Sequence, residues 1–205
     1  MLCFAAIAPH PPLLLPSVGS GSDRKKVKNT IKALQLAADR MKSAKPDIII
    51  ISSPHQDWGF QVPLHFLAQN FSGEIRTFLT GMASAQEHFK KGKELYQKLP
   101  GNKRCAFIAS GDLSHRLKED GPYGFNADGP KFDQALIESL KKKDLETFLK
   151  LDELYPEAGE CGLRSFSFLL GSLETAQADW RAEILSYEGP FGVGYLVANF
   201  NLQKR

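Results

Sequence analysis

A chain of 205 residues is long enough for one domain with a sizeable core, and 42% hydrophobic with 24% charged residues is the make-up of a globular protein, not of a fibrous or disordered one. Its net charge of +3, from 26 basic and 23 acidic residues, is too balanced to announce a nucleic-acid partner, and Arg24-Lys25-Lys26 with Lys28 reads as a solvated helix face. Cys3, Cys105 and Cys161 are odd in number and far apart, which argues against a disulfide framework and for a cytoplasmic location.

The apolar start, Leu2–Ala8, has no Lys or Arg before it and runs directly into Pro9-His10-Pro11-Pro12. It reads as a buried first strand and not as a leader. No apolar run approaches membrane-spanning length. A loop rich in Pro, Gly and Ser covers 9–22. Residues 23–44 read as a helix, with Val27, Ile31, Leu34, Ala38 and Met41 three or four apart. Residues 47–52 hold Ile48, Ile49, Ile50 and Ile51, a continuous β-branched run expected of a strand buried on both faces. Weaker strand signals lie at 61–69 and Glu74–Leu79. Ser84 with Glu87 forms a capping box that opens a helix to about Leu99. Residues 104–109 read as another buried strand, 128–143, 144–151 and 161–176 as helices, and 182–187 and 193–200 as closing strands. There is no internal repeat. Strands alternating with helices predict a single α/β domain over 1–205, with a mostly parallel or mixed central sheet flanked by helices.

Three of the five histidines follow closely on apolar strand runs: His10, His55 and His115. Pro9 and Pro54 end the first two strands, because a proline cannot donate to a central ladder. The C-terminal ends of parallel strands share one edge of an α/β sheet, and ligands bind there. Three imidazoles can thus meet in one cleft. Two His with a carboxylate and open positions suit non-haem Fe(II). Asp57, Asp112 and Glu160 are the carboxylate candidates. Glu160, at the start of a predicted helix, also has the simpler explanation of complementing the helix dipole. Cys161 is a soft ligand by type, though a buried packing role is the more common one. His65, in a strand-like run, and His88, in a helix, read as structural. A phosphate loop is excluded: Gly19 and Gly21 are followed by Arg24 where a third glycine is needed.

The ordered motifs Pro9-His10-Pro11-Pro12-Leu13-Leu14, Ser53-Pro54-His55, Ile108-Ala109-Ser110-Gly111-Asp112-Leu113-Ser114-His115, Gly159-Glu160-Cys161-Gly162-Leu163-Arg164-Ser165 and Tyr187-Glu188-Gly189-Pro190-Phe191-Gly192-Val193-Gly194-Tyr195 span nearly the whole chain. Together they resemble the catalytic-subunit (LigB-type) family of class III extradiol ring-cleavage dioxygenases. Within it they look most like the AmmeMemoRadiSam system protein B branch, which is similar to Memo-type proteins. The resemblance implies Fe(II), or else Zn(II), held by His10, His55 and Glu160. It implies His115 as the acid/base beside the metal, and Trp58, Asp112 and Tyr187 as neighbours of the substrate. It further implies a small catechol or aminophenol and O2 as reactants. Asp57-Trp58-Gly59-Phe60-Gln61-Val62-Pro63-Leu64 resembles the family's Asp-His-Gly-x-x-Val-Pro-Leu motif, with Trp58 in place of the histidine. The long segment that separates this motif from Ser-Pro-His in the family is missing between His55 and Asp57.

Three functions compete on these grounds. One is an Fe(II)-dependent extradiol dioxygenase, favoured by His115 and Glu160. Another is a Memo-like metal-binding protein without ring cleavage, acting through protein interactions or in a modification pathway with radical-SAM and AMMECR-type proteins. Trp58 and the shortened chain favour that one. The third is a metal-dependent hydrolase using the same cleft. Exposed edge strands leave a homo-oligomer open.

Overall fold

Ile48, Ile49, Ile50 and Ile51 are all buried because successive residues of a strand leave it on opposite faces. Ile48 and Ile50 join one apolar cluster, and Ile49 and Ile51 join another. The computed structural model, which describes residues 1–176 and 179–203, places that strand inside a six-stranded sheet with a core on each side. The strands are β1 (Leu2–Ala8), β2 (Ile48–Ser53), β3 (Glu74–Leu79), β4 (Cys105–Ser110), β5 (Asp179–Glu188) and β6 (Tyr195–Gln203). The helices are α1 (Gly21–Lys26), α2 (Lys28–Ala44), α3 (Trp58–Leu67), α4 (Ala85–Gln97), α5 (Asp128–Lys142), the short α6 (Leu145–Phe148) and α7 (Leu151–Leu154), and α8 (Leu163–Thr175).

The strand order is β3-β2-β4-β1-β6-β5. The first four strands are parallel, while β6 runs antiparallel to β1 and β5 antiparallel to β6. The sheet is therefore mixed and flanked by helices, as expected. Leu34, Ala37 and Met41 of α2 and Val62 and Leu67 of α3 cover one face. Phe132 and Leu136 of α5 and Phe166, Leu169 and Leu173 of α8 cover the other, with α4 against α8. The topology sets up the site: the chain leaves β1, passes to β2 and β3, and returns to insert β4 between β1 and β2. The ends of β1, β4 and β2 are thus immediate neighbours.

Several elements differ from expectation. Residues 61–69 lie mostly in α3 and are not a strand. Gly59, Val62, Pro63 and Leu67 are the buried residues there, three and four apart, which is a helical face. The apolar alternation around Val62, Leu64 and Phe66 mimicked a strand. The helix read over 23–44 is broken at Val27 (φ −112°, ψ 26°) into α1 and α2. The helix expected over 144–151 is only the single turn α6, with a second single turn, α7, starting at Leu151, and β5 and β6 are each longer than the stretches 182–187 and 193–200. The capping box is formed: Ser84 Oγ accepts from Glu87 N–H, and the Glu87 carboxylate accepts from Ser84 N–H. Among the described residues, no helix is long and apolar enough to cross a membrane.

Candidate metal centre

The site is built on the ends of β1, β4 and β2. Gly111 N–H donates to the Ala8 carbonyl at 3.1 Å, so the segments leaving β1 and β4 stay side by side. His10, two residues past β1, is 6% exposed. Its backbone N–H donates to Asp112 Oδ1 at 3.1 Å, and its Nδ1 lies 2.9 Å from Ser110 Oγ. Burial, and then the neighbouring His55, hold its pKa down to about 3, so the ring is neutral and fit to ligate.

His55 leaves β2 into solvent, with its N–H donating to Ser53 Oγ at 3.1 Å. Its ring meets that of His10 edge to face, with centroids 5.2 Å apart. The helix that follows begins hard against this strand end. A Cβ on Gly59 would stand 2.1 Å from Ser53 Oγ and 3.2 Å from His55 Cβ, so only glycine lets α3 start there. The turn into α3 places Asp57 at φ +40°, ψ −106°, and Gly59 N–H closes it on the Gln56 carbonyl at 2.9 Å.

Cys161 comes from the opposite side, on the loop entering α8. Its Sγ lies 3.6 Å from His10 Nε2 and accepts from Asp112 N–H at 3.3 Å. Gly162 N–H fixes the same loop to the Asp112 carbonyl at 3.0 Å. The ligand atoms of His10, His55 and Cys161 lie within 4.8 Å of one another. An imidazole nitrogen at about 2.0 Å and a thiolate at about 2.3 Å from one tetrahedral ion sit about 3.5 Å apart, so the separation here fits a shared metal. Burial, and then the Asp112 charge, push the Cys161 thiol well up; a bound cation reverses that balance.

Glu160 is placed differently. Its Oε2 accepts from Leu163 N–H at 2.6 Å and its Oε1 lies 3.5 Å from Arg164 Nη1, at the N-terminus of α8. Burial raises its pKa to about 7. Its carboxylate is not in the cluster with His10 and His55; the adjacent Cys161 sulfur is. Asp57 is also outside the cluster. Asp112 and His115 form a second group that shares Cys161, with Asp112 Oδ2 3.8 Å from His10 Nε2. Burial raises Asp112 to about 6. His115 Nε2 is buried with no hydrogen-bond partner among the described residues. Burial lowers the His115 pKa; Asp112 opposes this, while His10 and His55 add to it.

Trp58 opens α3 with 45% of its surface exposed. Tyr187 turns its hydroxyl to Asp133 Oδ2 at 2.6 Å. Asp133 belongs to none of the sequence motifs. Its other oxygen accepts from Ser114 N–H at 2.8 Å and so fixes the backbone next to His115. An Asp on the apolar face of α5, beside Phe132 and Leu136, was the available signal. Ser110 carries no signal of its own beyond its place in the Ile108–His115 motif. His65 is exposed on α3, and His88 is buried in α4 with Nδ1 2.9 Å from the Ser84 carbonyl.

The family model described as the catalytic LigB subunit of aromatic ring-opening dioxygenase matches residues 56–198. Protein CA_C1420 of Clostridium acetobutylicum is 32% identical over 261 aligned positions, which take in 92% of this chain and 55% of the relative. The chain thus spans about half the length of that relative. Because 261 positions exceed the 205 residues here, at least 56 of them have no counterpart in this chain. The crystal structure of the uncharacterized protein JW3007 from Escherichia coli K12 superposes with a TM-score of 0.60 over 96% of this chain and 99% of that one, at 14% identity, which is a likeness of fold.

Proposed function

This chain belongs to the family of the catalytic LigB subunit of aromatic ring-opening dioxygenases, and from that premise we propose that it holds one divalent transition-metal ion on His10, His55 and Cys161 and opens a small aromatic diol with O2. One observation carries the reading: three ligand atoms from the ends of β1 and β2 and the entry to α8 converge within 4.8 Å of one another. Fe(II) is the favoured ion, because imidazole suits iron and the family is one of aromatic ring-opening dioxygenases, with a sulfur here in place of the carboxylate of the non-haem iron triad. Zn(II) is the second choice, because a thiolate beside two imidazoles suits zinc as well. When bound, Fe(II) supplies the electron exchange between an aromatic diolate and O2.

The remaining roles fall to this chain's own side chains. His115 accepts a proton from a substrate hydroxyl at Nε2, the buried atom that has no partner among the described residues. Asp133 holds the loop that carries it. Trp58 supplies an aromatic face three residues after His55, and Asp112 spaces His10 from His115. Glu160 serves as the carboxylate at the head of α8 and so steadies the position of Cys161.

A second reading is a Memo-like metal-binding protein without ring cleavage, working through protein interactions or in a radical-SAM-associated modification pathway. Two observations favour it. A sulfur, and not the Glu160 carboxylate, shares the cluster of His10 and His55, and at least 56 of the positions aligned with the curated relative have no counterpart in this chain.

Anaerobic titration with Fe(II) and Co(II) tests both. The wild type should bind one equivalent, with a thiolate-to-cobalt charge-transfer band, and His10→Ala, His55→Ala and Cys161→Ala should each lose it. Glu160→Gln should keep it. Equal binding by the wild type and the His variants would sink the site. With the site established, O2 uptake on catechols or aminophenols supports the dioxygenase, and none across the panel supports the second reading.

A further inference from the structure

Pro63 lies five residues past the first residue of α3 and has no N–H. In an uninterrupted helix the amide of residue 63 would donate to the carbonyl of residue 59. The Gly59 carbonyl accepts instead from the Ser110 hydroxyl, at 2.5 Å. Ser110 is fully buried at the end of β4, and its Oγ also lies 2.9 Å from His10 Nδ1. A hydroxyl has one hydrogen and a carbonyl can only accept. With that hydrogen committed to Gly59, Ser110 Oγ faces Nδ1 as an acceptor, and Nδ1 must carry the proton. The lone pair of the neutral ring is then on Nε2. Nε2 is the atom 3.6 Å from Cys161 Sγ and 3.8 Å from Asp112 Oδ2.

We infer that the chain Gly59 carbonyl–Ser110–His10, set up by the missing amide of Pro63, locks His10 in the Nδ1–H tautomer and so presents Nε2 to the metal. Ser110 and Pro63 are positioning residues, acting through His10. The arrangement accounts for two separate motifs converging on one ring: the residue that breaks the α3 hydrogen-bond ladder comes from one, and the hydroxyl that uses the vacated carbonyl comes from the other. The tautomer stands on the geometry alone. Its consequence for ligation rests on the metal-site reading above.

The test is made on the full chain, first metal-free. Long-range proton–nitrogen spectra of histidine-labelled protein should show His10 protonated at Nδ1 and bare at Nε2. A wild-type ring protonated at Nε2 overturns the inference whatever the protein binds. Ser110→Ala should raise the Nε2–H fraction and weaken Co(II) binding about 10- to 100-fold, the usual cost of removing such a partner of a metal-ligating His. Ser110→Thr, which keeps the hydroxyl, should restore both. Pro63→Ala gives the Gly59 carbonyl a second, competing donor and so weakens the hold on the Ser110 hydrogen, and the Nε2–H fraction should rise part of the way with every site side chain retained. Unchanged tautomer and affinity in Ser110→Ala would overturn the lock. A wild type that binds no Co(II) but keeps the Nδ1–H ring overturns the metal reading and leaves the lock standing.

Discussion

Asp57 holds a backbone conformation, φ +40° and ψ −106°, that glycine adopts freely and a residue with a Cβ does not. Such strain costs about 1–3 kcal/mol and is retained where the surroundings enforce it. Here the enforcing contact is the tight start of α3 beside His55. Asp57→Gly should therefore raise stability by about 1 kcal/mol, the relief exceeding the added freedom of the unfolded chain, which for this length is about 2–4 °C in Tm. Thermal unfolding checks it, and a lower Tm would show that the Asp57 carboxylate does something the backbone does not. His115 makes a second prediction at this scale. Its pKa is lowered by burial, and also by His10 and His55, against the pull of Asp112. A bound cation pushes the same way. Any ring-opening rate should then stay flat below the ordinary histidine range, near about pH 6.5, before its acid limb begins. His115→Ala should abolish turnover and keep the metal. An acid limb above the ordinary range, or an active variant, would refute the role.

Helices α4 and α8 pack closely at two reciprocal glycines. A Cβ on Gly92 would meet the Phe168 carbonyl oxygen at 1.9 Å, and one on Gly171 would meet that of Phe89 at 1.9 Å. Alanine is the better helix former by about 1 kcal/mol, so propensity alone predicts stabilisation. The backbone clash predicts the reverse and should win, because neither helix can retreat without opening the core around Phe166 and Leu169. Gly171→Ala should cost about 1–3 kcal/mol in urea unfolding, and a more stable variant would show the contact to be soft. This contact also marks what a sequence can display. The buried β-branched run of β2 and the Ser84 capping box are local signals and were legible. So was the placement of His10, His55 and His115 past neighbouring strand ends, because proline or a short loop ends each preceding strand. The α3 helix was not legible: its apolar residues alternate as in a strand, and its start depends on Gly59 fitting against Ser53. Nor was it legible that the Cys161 sulfur, and not the adjacent Glu160 carboxylate, faces His10, because the two side chains diverge at the entry to α8. Ser110 and Asp133 act through partners 51 and 19 residues distant in the chain, a kind of pairing that no local pattern carries.

Across the whole molecule, the loop bearing His115 is tied to α5 and β5 through one buried carboxylate. Asp133 accepts from Ser114 N–H and from the Tyr187 hydroxyl, yet burial outweighs both and lifts its pKa from 3.8 to about 7, with the Glu160 charge adding to the rise. The sign of the effect on folding follows. The unfolded chain gives up this proton near 3.8 and the folded chain near 7, so between those values the folded state binds more protons. Stability is then full below the lower value and falls as pH rises through the window, by at most about 1.4 kcal/mol per pH unit for the one group. Asp133→Asn removes the titration with little change of shape. Its carbonyl still accepts from Ser114, and the Tyr187 hydroxyl can turn to accept from the amide. Urea unfolding of the metal-free protein from pH 4.5 to 8 should give a flatter profile for the variant. Asp112 and Glu160, whose pKa values are also raised, titrate in both proteins, so the difference between the two curves isolates Asp133. Parallel curves would mean that the carboxylate is ionised in the fold throughout, and that the hydrogen bonds from Ser114 and Tyr187 outweigh its burial.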